Sequence, residues 1–201
     1  MDDNTLAPKW FTDTEEGHSE GYVEYIRGLA ADGADLAGEA RFMDALLPPG
    51  SRVIDAGCGP GRVGAVLHQR GHRVVGVDVD PVLIAAARED YPDVTWLVSD
   101  LVDLDLASFG ETELFDGAVL AGNVLAFVAP ETEVAALRGV GQHLVPGGRA
   151  VVGFQTERYS IDEFDAHLAA AGFALEHRFA TWDLRPWHDE ADFAVSVLIW
   201  A

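Results

Sequence analysis

The run Val53-Ile54-Asp55-Ala56-Gly57-Cys58-Gly59-Pro60-Gly61-Arg62 takes an apolar strand end through a glycine-rich turn into a helix-compatible stretch. Gly57, Gly59 and Gly61 remove Cβ atoms where a backbone must turn sharply and lie against a ligand, and the following helix offers unpaired N–H groups. Alone, such a turn could equally be a plain strand-to-helix connection. Two further carboxylates change its meaning. Val74-Val75-Gly76-Val77-Asp78 is a second apolar run ending in an acid, and an acid about 20 residues past a glycine turn can accept hydrogen bonds from both hydroxyls of a ribose. The competing role for Asp78 is capping the helix that opens at Pro81, which Asp80 can fill equally well. A third run ends at Val98-Ser99-Asp100-Leu101, where Asp100 can accept from an exocyclic amine. Three successive strand ends thus carry a carboxylate on the edge where open α/β sheets bind ligands.

The elements that position these groups follow from hydropathy period and turn residues. Short apolar runs predict strands at 52–55, 74–78, 95–98, 117–120 and 149–154. Helical stretches fall between them at 62–70, 81–90 and 131–144, the second opening with Pro81 in its first turn and the third stopped by Pro146-Gly147-Gly148. Strands alternating with helices imply a mostly parallel sheet covered on both faces. Beyond Phe154 the pattern predicts a helix at 161–171 and a hairpin of strands near 174–182 and 193–201. Upstream, Tyr22, Ile26, Leu29, Gly33, Leu36, Ala40, Met43 and Leu47 form one apolar helical face, which Gly33 and Gly38 divide into two helices. With no repeat or long linker, the chain reads as one domain over 1–201: an N-terminal helical cap at 1–47, a ligand-binding core at 51–154 and a C-terminal helix and hairpin at 155–201.

Composition excludes several classes. Thirty-four acidic against thirteen basic residues give a net charge of −21, which opposes binding to nucleic acid or an anionic membrane surface. The most apolar stretch, 117–129, is interrupted by Asn123 and falls short of the roughly 18 apolar residues of a spanning helix. The first fifteen residues carry Asp2, Asp3, Asp13 and Glu15 instead of the basic start of an export signal. Cys58 is the single cysteine, which rules out an intrachain disulfide and fits a reducing, cytoplasmic setting. His68 and His72 have metal-ligand spacing, but Gly71 between them marks a fraying helix end, and no metal site is expected.

Taken together, Asp55-x-Gly57-x-Gly59-x-Gly61, Asp78 and Asp100 resemble the class I S-adenosylmethionine-dependent methyltransferase family over roughly 51–154. The resemblance implies a doubly wound, mostly parallel, seven-stranded Rossmann-like α/β sheet with an antiparallel last strand. It also implies S-adenosyl-L-methionine as cofactor and S-adenosyl-L-homocysteine as product. Asp55, Ala56, Gly57, Cys58, Gly59 and Gly61 would form the cofactor turn, with Asp78 and Val79 at the ribose and Asp100 and Leu101 at the adenine. The backbone of Leu120-Ala121-Gly122-Asn123-Val124 would touch the methionine part. Arg27 resembles cap arginines that meet the methionine carboxylate, against the plain alternative of an exposed helical arginine.

The methyl acceptor is expected to be a small, uncharged or cationic molecule held between residues 18–27 and the loops after Asn123 and Trp182. Trp10, Phe11, Trp182 and Trp187 are candidate lining residues and His18 and His188 candidate bases, although no catalytic residue is assigned. The cap would open at Gly33 and Gly38. Oligomeric state stays open, a homodimer included. An NAD-dependent oxidoreductase would need glycine where Arg62 stands, and a phosphate-loop NTPase would need a Gly-x-x-x-x-Gly-Lys segment that the chain lacks. Asp78-Val79-Asp80 also fits the metal site of a nucleotide-sugar transferase, a redundant assignment beside the glycine turn. A non-catalytic cofactor-binding module remains the alternative from a different class.

Overall fold

The computed structural model describes residues 7–201, so the first six residues of the expected cap lie outside the described residues. Seven strands form one sheet: β1 (Arg52–Ala56), β2 (Arg73–Asp78), β3 (Thr95–Val98), β4 (Phe115–Leu120), β5 (Leu144–Gln155), β6 (Phe173–Phe179) and β7 (Phe193–Trp200). Their spatial order is β3-β2-β1-β4-β5-β7-β6, and β7 alone runs antiparallel to its neighbours. This is the doubly wound, seven-stranded arrangement expected from the sequence. The helices are α1 (Lys9–Thr12), α2 (His18–Ala31), α3 (Gly38–Leu46), α4 (Arg62–Gln69), α5 (Pro81–Asp90), α6 (Val124–Phe127), α7 (Glu133–Gly141) and α8 (Ile161–Ala171). Among the described residues, no helix is long and apolar enough to cross a membrane.

Successive strand residues point to opposite faces, and the core divides accordingly. Ile54, Val75 and Phe154 join the cluster beneath α7 and α8, while Val53, Val74 and Val151 join the one beneath α3, α4 and α5. Both faces are therefore covered, which is why the central strands read as continuous apolar runs.

Several boundaries differ from the sequence reading: β4 begins at Phe115 and not at 117, α7 at Glu133 and not at 131, and β6 ends at Phe179 and not near 182. Two further differences bear on the turns. Pro146-Gly147-Gly148 does not separate a helix from a strand, because α7 ends at Gly141 and β5 already begins at Leu144. Leu144 pairs with Phe115, and the register shifts between Phe115 and Gly117, where a proline without an N–H is tolerated. Gly38 is the first residue of α3 and not a break; the left-handed residue between α2 and α3 is Gly33, at φ 77°.

Trp96 fixes how closely the first two βα units pack. Its ring is 2% exposed and its indole N–H donates to the Tyr91 carbonyl at 2.9 Å. A Cβ at Gly76 would collide with the ring, and one at Gly61 or Gly64 would lie 2.9 Å from it. The glycine at Gly61 thus serves packing: α4 and β2 close onto a single indole. Trp96→Ala is expected to cost about 3–5 kcal/mol of stability, read from the urea midpoint; a loss below about 1 kcal/mol would contradict this role.

Candidate functional site

The chain winds from β1 outward through β2 and β3, then returns to place β4 and β5 on the other side of β1. A crevice must open at that reversal, beyond the C-terminal strand ends. A cavity of about 340 Å³ lies there, between the loops after β1 to β4 and the cap residues Trp10, His18 and Tyr22. Of the residues singled out in the sequence, Gly57, Gly59, Asp78, Val79, Asp100, Leu101, Gly122 and Asn123 line it.

The glycine turn is held by the neighbouring strand. Gly57 and Cys58 both donate their N–H to the Val77 carbonyl, at 2.8 and 3.0 Å. Gly57, Gly59 and Gly61 have φ of 72°, 55° and 86°, a region that suits glycine. A Cβ on Gly57 would also collide with Val124, so the turn is closed against the loop after β4 from above.

The two candidate roles of Asp78 and Asp80 separate cleanly. Asp80 caps α5, accepting from the Val82 N–H at 2.7 Å, while Asp78 lines the cavity. Asp78 accepts from the Gly59 N–H at 2.8 Å and from the Asp80 N–H at 2.9 Å, one bond per carboxylate oxygen. Each oxygen keeps a further lone-pair direction for a ligand. Burial pushes its pKa up to about 6 against the opposing pull of these N–H groups. Asp100 accepts from the Val102 N–H at 2.9 Å through one oxygen and also lines the cavity. Neighbouring strand ends therefore present two carboxylates to one space.

On the other side of the reversal, Asn123 adopts a left-handed conformation at φ 66°. Its side-chain carbonyl accepts the Gln155 N–H at 2.7 Å, and its own N–H donates to the Gly153 carbonyl at 3.2 Å. The loop after β4 is thereby pinned to the end of β5. A Cβ at Gly122 would meet no atom within 4 Å, so that backbone is open to the cavity.

Other singled-out residues lie elsewhere. Asp55 is 1% exposed and accepts from the Gly64 N–H at 2.7 Å, beneath the turn; with Cys58 it borders a separate space of about 30 Å³. Ala56 is fully buried in β1 and Gly61 lies against Trp96. The structure does not bring Arg27 to the cavity: its guanidinium pairs with Glu89 and Asp90 at 2.8 Å each, clamping α2 onto α5. A helical arginine facing an acidic helix end finds its partner there. Trp182 packs on Phe42 and under Gly153, Trp187 stacks beneath Arg178, and Phe11 and His188 are exposed. None of the four lines the cavity, so the loop after Trp182 is not part of its wall. His72 places its Nε2 3.2 Å from Asp44.

Several lining residues were not anticipated, among them Ser99, Phe127 and Arg158. Arg158 lies three residues beyond the end of β5, and the rule that ligands bind at strand C-termini would have found it had it been applied to the fifth strand. The cap is latched by Asp80, which accepts from the Trp10 indole N–H at 2.7 Å and from the Ser19 hydroxyl. The Trp10 ring packs edge-on against His18, Tyr22 and Phe127.

Burial raises the Asp55 carboxyl to about 7, above its unfolded value near 4. A carboxyl raised on folding contributes stability at low pH that is lost as pH climbs through its folded value, because the unfolded chain ionises first. Asp55→Asn should therefore flatten the decline in unfolding free energy between about pH 4 and 7. Parallel pH profiles for the two proteins in urea titrations would contradict that assignment.

A family model described as a methyltransferase domain matches residues 53–148. The structure superposes on a TehB-like SAM-dependent methyltransferase from Corynebacterium glutamicum with a TM-score of 0.86 and 39% identity, over 93% of this chain and 100% of that one. It shares its fold with the CcbJ methyltransferase of Streptomyces caelestis, at a TM-score of 0.73 and 20% identity, over 82% and 94% of the two chains. The ribosomal protein L11 methyltransferase of Symbiobacterium thermophilum is 38% identical over 111 residues, which are 54% of this chain and 34% of that protein. The match to this and two other curated relatives spans between 20% and 54% of their length.

Proposed function

The chain belongs to the class I S-adenosylmethionine-dependent methyltransferase family, and from that premise we propose that it transfers the methyl group of S-adenosylmethionine to a small-molecule acceptor inside the described cavity. The observation that carries this reading is the pair of carboxylates, Asp78 and Asp100, presented by adjacent strand ends to a space floored by Gly57 and Gly59. The donor set fits a nucleoside: pure acceptors for a diol and an amine, beside backbone with no side chains in the way. We read 1–201 as one unit in which the cap, the core and the C-terminal hairpin serve a single site.

In this reading Asp78 accepts from the ribose hydroxyls and Asp100 from the adenine amine, while the Gly122–Asn123 backbone flanks the methionine portion. When bound, the cofactor supplies a methyl carbon already activated by its sulfonium. The protein's task is then to align an acceptor in line with that carbon and exclude water. Trp10, Tyr22 and Phe127 supply the apolar enclosure. Burial raises the Tyr22 phenol above its ordinary value, so its hydroxyl stays protonated and available as a donor. The acceptor reading draws on cavity size, which lies in the range of small-molecule sites, and on relatives named for small substrates, such as trans-aconitate 2-methyltransferase of Escherichia coli, 45% identical over 51 residues.

Asp78→Ala should weaken S-adenosylmethionine binding by about 1–3 kcal/mol in calorimetry, since it leaves ribose hydroxyls without partners. The wild-type affinity should also fall as pH drops through about 6, where the Asp78 carboxylate takes up a proton. Unchanged affinity in a folded variant would remove Asp78 from the site. Labelled S-adenosylmethionine offered with small-molecule extract, folded protein and RNA tests the acceptor class; transfer to RNA or protein alone would overturn the small-molecule reading.

A further inference from the structure

Charge pairing within the chain is nearly complete on the basic side. Of thirteen lysines and arginines, ten form ion pairs with carboxylates. Arg88 and Arg138 direct their guanidinium groups to the backbone carbonyls of Trp96 and Ala170. Arg158 is left, and among the described residues its two terminal nitrogens have no protein partner. In a chain with thirty-four acids, an arginine that pairs with no carboxylate among the described residues, yet lines the cavity, is an exception in need of a cause.

Its stem is held in place. The Arg158 Nε–H donates to the Gln155 side-chain carbonyl at 2.8 Å. Gln155 is in turn tied to Asn123 through its backbone N–H at 2.7 Å, and the guanidinium carbon lies 5.7 Å from the Phe127 ring centre. The outer face of the fork, suited to bidentate recognition of a carboxylate, remains uncommitted. Position matters as much as charge. Strand order sets Asp78 and Asp100 over β2 and β3, on the far side of β1 from β5, where Arg158 follows. A nucleoside on the two acids occupies that half of the crevice and leaves the β4–β5 half to whatever receives the methyl group. Beside Arg158 this half is walled by Phe127, Val128 and Pro8, which suits a carbon skeleton better than an inorganic ion.

We propose that Arg158 anchors a carboxylate on the methyl acceptor, so that the substrate is a small organic acid. The assignment rests on the methyl-transfer reading above and reverses the charge expected from composition: an overall charge of −21 repels polyanions at long range, but a single carboxylate meets a local fork. Transfer breaks the sulfonium C–S bond, its electron pair going to sulfur, and forms a bond from the methyl carbon to a nucleophilic atom of the acid; a proton is released to solvent if that atom was a neutral hydroxyl or amine.

The test offers labelled S-adenosylmethionine with a small-molecule extract, before and after its carboxylates are converted to methylamides. Transfer should occur with the untreated extract and disappear after amidation. Arg158→Ala should lower kcat/KM for the purified acceptor at least about tenfold, mainly through KM, with Arg158→Lys retaining part of it and S-adenosylmethionine affinity unchanged in both. Transfer that survives amidation, or that is unaffected in Arg158→Ala, would overturn the proposal. So would a tenfold loss of cofactor affinity in Arg158→Ala, which would put the fork on the methionine carboxylate instead. If the cofactor binds but the untreated extract takes no methyl, the methyl-transfer reading itself fails and the acceptor assignment falls with it.

Discussion

The Asp78 carboxylate, accepting one backbone N–H from the turn after β1 and one from the turn after β2, is the joint on which the crevice is built. It ties together the two loops that form the floor of the cavity, and it does so from a position only 8% exposed. Burying an anion is costly unless its oxygens are paired, so the turn must keep its N–H groups aimed at it. Glycine at position 59 allows that geometry, and Trp96 below holds α4 close enough for it to persist. The same carboxylate is left with acceptor capacity and lines the cavity, so one group holds the fold and, in the proposed reading, meets the ligand.

The cap depends on the residue next but one. Asp80 caps α5 and receives the Trp10 indole and the Ser19 hydroxyl, while Arg62, at the start of α4, donates to Glu39 and to the Leu36 carbonyl. The α1–α3 segment is thus moored to the first turns of α4 and α5, the elements that border the crevice. Of this segment α3 is built into the core over one face of the sheet. By contrast α1 and α2 are held by the Asp80 hydrogen bonds, the Trp10 aromatic cluster, the Arg27 ion pairs and Val23 against α5, so any opening of the site by local rearrangement falls to them.

What was legible in the sequence was whatever local pattern determines. The buried central strands announce themselves as apolar runs, α5 begins at its proline and ends where expected, and the strand-end acids fall where the sheet reverses. Leu144 reads as the last residue of a helix but begins β5, because a short apolar stretch fits the end of a helix and the start of a strand equally well. Arg27 and Trp182 could not be placed from sequence, since an arginine or an aromatic on an amphipathic segment takes its partner from whichever element packs against it, here α5 and α3. Arg158 carried no motif at all. Its meaning comes from its having no carboxylate partner among the described residues, and that is visible only once the partners of the other lysines and arginines are known.

A crystal structure of the protein with S-adenosylhomocysteine tests the central claim most directly. The account predicts both ribose hydroxyls within hydrogen-bond distance of the Asp78 carboxylate, the adenine amine at Asp100, and the sulfur directed toward the Asn123 loop with open space between it and Arg158. An adenosine bound over β4 and β5, with Asp78 contacting only Gly59 and Asp80, would contradict it.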